Sequence, residues 1–136
     1  MSRIIKTSTP GKERARLSKA IVITIRAFMR HQKPDQDAKD MVAFVILALR
    51  QIAAGIDTSV KAWEKRGYWI KADKYRLEWL WSGELADQLQ NAFSQADWSI
   101  IASLFVEVMQ KFSTIKVSDR HRMGEPWKQA FQEYSS

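Results

Sequence analysis

Apolar residues recur at alternating steps of three and four through four long stretches of this chain, a rhythm that leaves few folds open. The first stretch reads Leu17, Ile21, Thr24, Phe28, and the second Val42, Val45, Leu49, Ile52, Ile56, Ser59, Trp63. The third reads Ala72, Tyr75, Trp79, Ser82, Ala86, Leu89, Phe93, and the fourth Trp98, Ile101, Phe105, Val108, Phe112. A mean step of about 3.5 residues keeps one stripe of a helix facing its neighbours, the seam of left-handed bundle packing. No stretch alternates with period two for more than a few residues, so nothing supports a strand. The pattern predicts an all-α protein: an up-down four-helix bundle with a short extra C-terminal helix.

The five glycines and three prolines punctuate that pattern. Thr9-Pro10 supplies a cap and a first-turn proline, opening helix 1 over about 10–32, and Pro34 breaks it. Asp35 or Asp37 can cap helix 2, which runs to about Arg66 with Gly67 as its stop, and capping accounts for Asp40 as well. Helix 3 follows over about 69–94, and Asp97 caps helix 4 over about 98–113. A basic connection, Lys116 to Met123, leads to Gly124-Glu125-Pro126 and a last short helix through about Tyr134. At 136 residues the chain fits one domain, 1–136, with residues 1–9 expected to be a flexible basic tail.

There is no cysteine, which excludes disulfides and thiolate metal sites and suits a reducing compartment. The N-terminal residues lack the apolar core of a signal peptide. The longest apolar run, Met41 to Leu49, has about half the ~20 residues a bilayer requires. A cytoplasmic location without integral membrane association is the expectation. That same run is apolar all round the helix. Either helix 2 is central, touched by three neighbours, or its outer side, around Phe44 and Leu47, is a homo-oligomer interface.

The search for catalytic motifs is negative. Neither G-x-x-x-x-G-K-[ST], G-x-G-x-x-G nor G-x-S-x-G occurs, and His31 and His121 lie outside any H-E-x-x-H pattern. No glutamate is followed three residues later by histidine, which removes the di-iron bundle. Asp35, Asp37 and Asp40 begin like a calcium loop, but Lys39 occupies the fifth position and no glycine follows. The expectation is a protein that is not an enzyme and holds no cofactor or metal.

Charge gives the positive signals. Of the 22 Lys and Arg, those in residues 1–34 face Glu13 alone, whereas the rest of the chain is nearly neutral. On helix 1, Lys12, Arg16, Lys19, Arg26 and Arg30 fall within one quarter of the circumference, opposite Leu17, Ile21, Ile25 and Phe28. They form a basic ridge. Segment 61–81 interleaves bases with aromatics, a composition that can hold a phosphate backbone and stack on unpaired bases. Trp63, Tyr75 and Trp79 lie on the seam, which leaves Tyr68, Trp69 and Trp81 for the surface.

Counting helix lengths sharpens this. In an antiparallel bundle the start of helix 1, the helix 2–3 turn and the end of helix 4 share one pole. Arg3, Lys6, Lys12, Lys65, Arg66, Lys71, Lys116, Arg120 and Arg122 would gather there, with Trp127, Phe131 and Tyr134 folded against Trp63, Tyr68 and Trp69. The expected function is non-enzymatic binding of nucleic acid, RNA or DNA without sequence specificity, through phosphates and within an oligomer or nucleoprotein assembly. The alternative is an adaptor or scaffold that oligomerises through helix 2 and binds an acidic protein.

Overall fold

A computed structural model describes residues 9–136, and each of its regular elements is a helix. They are α1 (Pro10–Arg30), α2 (Gln36–Lys65), α3 (Trp69–Ser94), α4 (Trp98–Lys111) and α5 (Ala130–Ser135). The expected tail, with Arg3 and Lys6, lies outside the described residues apart from Thr9.

The boundaries follow from local chemistry. The Thr9 hydroxyl accepts the Lys12 N–H at 3.2 Å, ahead of proline in the first turn. Asp35 accepts the Ala38 N–H and Asp97 the Ile100 N–H, each at 3.1 Å, satisfying donors that a helix start leaves orphaned. Gly67 ends α2 with a φ of +82°, a left-handed conformation that glycine adopts without steric cost. Tyr68 then donates its N–H back to the Trp63 carbonyl at 2.9 Å.

Helix α2 packs between α1 and α3, α4 closes the bundle between α3 and α1, and α5 lies on α2. The four predicted seams meet in one continuous core in which Ile21, Ile25, Ile46, Leu49, Ile52, Leu89, Ile101 and Phe105 are sealed from solvent. Two polar residues in that core, Thr24 and Ser82, turn their hydroxyls back onto the carbonyls of Ala20 and Trp79 at 2.8 Å. The central position of α2 explains why Met41–Leu49 is apolar all round. By length and mean hydropathy, 1.6 over an 18-residue window, α2 is apolar enough to cross a membrane; half of that window is buried against its neighbours. The nine-residue run alone understates it. Phe44 and Leu47 are half-buried, and Phe44 packs against Ile23, Met41 and Trp127.

The C-terminal segment takes a different route from the one expected. It does not fold against Trp63, Tyr68 and Trp69. It turns back along α1 and seals the opposite end of the bundle, where α1 ends and α2 begins. The Trp127 indole donates to Asp37 at 2.9 Å, and the Phe131 N–H donates to Asp40, also at 2.9 Å. Asp35 alone caps α2, and its two acidic neighbours hold the returning chain. Phe131 and Tyr134 meet Phe93 near the end of α3, with ring centroids 5.7 and 5.6 Å away.

The helices differ greatly in length. At 1.5 Å per residue α2 spans about 45 Å and α4 about 21 Å. Phe112, at the end of α4, reaches only Trp79 and Trp81 on α3. The start of α1 lies against Gln51, Ile52, Gly55 and Ile56 on α2. Beyond those levels, among the described residues, α2 and α3 continue as a two-helix overhang ending in the turn at Arg66–Tyr68.

Candidate nucleic-acid interface

The helix-1 ridge survives in part, and the returning chain converts it into a groove. Lys12, Arg16 and Lys19 on α1 form one wall, and Lys116, Ser118 and His121 the other. Ala15, Val117 and Met123 complete a cleft of about 550 Å³ with no carboxylate among its lining residues. Each wall has a local cause. Lys12, Arg16 and Lys19 recur at helical spacing on one face. The 115–126 connection is fixed opposite them by Val117 and Met123, which pack against Ile23, Met41 and Trp127.

Arg26 belongs to the anchoring of this connection rather than to a free ridge. Its guanidinium donates to the Val117 carbonyl at 2.7 Å and lies 3.9 Å from Asp119. Arg30 is exposed at the helix end. Arg16 is exposed too, but it is bridged at 2.6 Å to Glu13, which also accepts from Gln51 at 2.9 Å. In the cleft His121 accepts the Met123 N–H through Nδ1 at 3.2 Å, so Nε2 is the nitrogen left to meet a ligand. Arg120 and Arg122 are exposed on the connection that forms the second wall.

The seven described bases of the expected pole do not gather in one place. Residues 116–123 run toward the sealed end, away from the α2–α3 turn, because Val117, Met123 and Trp127 find their apolar partners on Ile23 and Met41. Lys65, Arg66, Tyr68, Trp69 and Lys71 therefore sit apart at the tip of the overhang, all exposed. Lys71 lies over the Trp63 ring at 4.6 Å, a cation–π contact. Trp81, expected at the surface, is half-buried, stacked on Trp79 at 5.6 Å and edge-on to Phe112 at 5.3 Å.

Arg14 is a base the ridge did not include. It donates to the Tyr75 hydroxyl and lies over Tyr75 and Trp79 at 5.6 and 5.3 Å, tying α1 to α3. Among the described residues, no three His, Cys, Asp or Glu side chains converge as a metal cage would require. No protein family, no curated protein and no solved structure matches this chain.

Proposed function

We propose that the protein is a non-enzymatic nucleic-acid-binding protein that grips phosphates in the groove between α1 and the 115–126 connection. One observation carries the reading: four bases from two distant segments, Lys12, Arg16, Lys19 and Lys116, line one cleft that no acid enters. Arg16 is bridged to Glu13, which lies outside the lining; a polyanion relieves the repulsion among the bases while its released counterions add entropy. The groove reads no base edges, since contacts of this kind position a backbone without specifying sequence. Arg120 and Arg122 extend the basic wall, and Arg30 the ridge.

The test is binding of labelled single- and double-stranded oligonucleotides across a salt series. Four phosphate contacts predict a slope of log affinity against log salt of about −3 to −4. Lys19→Ala should flatten that slope by about one and weaken all sequences alike. A slope near zero, or equal binding after Lys12→Glu and Lys116→Glu, would remove the groove as the site. Salt-resistant capture of a protein would favour the adaptor.

A further inference from the structure

The face of the overhang turned away from the core carries an apolar stripe that no element among the described residues covers. Trp69, Ile70, Leu77 and Leu80 are 61, 79, 70 and 52% exposed, with Ile70 and Leu77 one heptad apart on the outer side of α3. The cause is the short α4: it stops level with Trp79 and Trp81, so the start of α3 lacks the layer that covers its end. Monomeric proteins seldom leave this many large apolar side chains contiguous without a use.

Charge along α3 identifies what covers them. From Trp69 to Leu77 the helix bears Lys71, Lys74 and Arg76 against Asp73; from Glu78 to Ser94 it bears Glu78, Glu84 and Asp87 and no base. Its first turn holds no acid and its last turn no base, so the first half is basic where the helix dipole favours acids. A second α3 running antiparallel would set each basic half against an acidic half and oppose the two dipoles.

We infer that the protein forms a two-fold homodimer through antiparallel α3 helices, the axis passing beside Leu77. Leu77 then meets its own copy, Lys74 comes level with Leu80 of the other chain, and Lys71 lies within a turn of its Glu84. A two-fold interface must be self-complementary in this way. Four apolar side chains make a small contact beside the ~800 Å² per chain of a standard interface, which makes the dimer a weak one. Because α1 lies diagonally across the bundle from α3, both basic grooves stay open. This surface is distinct from Phe44 and Leu47, and it stands or falls independently of nucleic-acid binding.

The absence of cysteine makes the test direct, because one introduced thiol is then the only one. Under mild oxidation the full chain carrying Leu77→Cys should form a disulfide dimer. Glu84→Cys should not, its two copies lying about 20 Å apart. Crosslinking at both positions would mean parallel pairing and would overturn the assignment. In sedimentation from low to high micromolar concentration, Lys71→Glu should weaken the dimer about tenfold, and adding Glu84→Lys should restore it. A monomer at every concentration, with helical content intact by circular dichroism, would overturn the dimer and leave the stripe to another protein or a lipid surface.

Discussion

The two ends of this bundle begin alike, as helix pairs joined by a short connection, and finish differently. Where α1 gives way to α2, the chain returns to close the end: Trp127 is buried on Ile23 and Met41, and Asp37 and Asp40 satisfy donors from the returning segment. Where α2 gives way to α3, no described residue returns. Tyr68 and Trp69 stand in solvent beside Lys65, Arg66 and Lys71. The buried Asp40 and the half-buried Asp37 demand partners, and the closed end supplies them. Exposed bases and aromatics demand none for stability, and the open end stays uncovered by the described residues. Burial, not composition, decides what each tryptophan does.

The strongest way to break this comparison is to truncate one tryptophan at each end. Trp127→Ala removes a buried indole and its bond to Asp37 and should cost about 3–5 kcal/mol. Trp69→Ala, on an exposed ring, should stay within about 0.5 kcal/mol. Urea unfolding of the two variants measures both. Equal losses would mean that the ends are not closed and open as described.

Next in size is Asp40→Ala. It leaves the Phe131 N–H without its acceptor in a site where Asp40 is 8% exposed, for an expected loss of about 1–3 kcal/mol. Asp40→Asn retains an acceptor oxygen and should recover part of that. Hydrogen exchange at Phe131 should speed up in the alanine variant while exchange at Leu49 lags behind. If both amides quicken together, the C-terminal segment is no separate closure.

The four seams and the terminators Thr9, Asp35, Gly67 and Asp97 are legible in the sequence because each is a local rule acting within a turn or two. The path of residues 115–127 is not, since it is set by apolar contacts with Ile23 and Met41, far away in the chain. Two signals for it exist. The basic ridge skips from Lys19 to Arg26, and the residue between them on that face is Ile23, an apolar gap where the returning chain lands. Asp37 and Asp40 stand one turn apart on α2, more acids than one cap can use. The groove was half legible: its α1 wall is helical arithmetic, and its second wall needed the fold.

Arg26 and Arg30 sharpen the point, being two bases of one ridge with different neighbours. Arg26→Glu loses the bond to the Val117 carbonyl and meets Asp119 with like charge, so it should cost about 1 kcal/mol and loosen the second wall of the groove. Arg30→Glu should cost under about 0.5 kcal/mol. Thermal melts separate them, and protease cleavage within 115–126 should quicken only for Arg26→Glu.

The smallest effect concerns how the helix that opens each end is capped. At the closed end α2 starts on Asp35, whose carboxylate accepts from Ala38 at 3.1 Å and contacts the His31 Nε2 at 2.7 Å. At the open end α3 starts on Tyr68, which makes no side-chain cap. The hydrogen bond from His31, and then that from Ala38, hold the Asp35 carboxyl below its ordinary value of 3.8. A carboxylate with a lowered folded-state pKa contributes stability that is fully present above its unfolded value and drains away as pH falls through the folded one. Asparagine can still cap a helix but does not ionise, so the stability gap between the wild type and Asp35→Asn should narrow as the pH drops below about 4. Tyr68→Asn at the open end removes no carboxylate and should show no such narrowing. A gap for Asp35→Asn that stays constant into acid would mean that His31 and Asp35 are neighbours without electrostatic consequence.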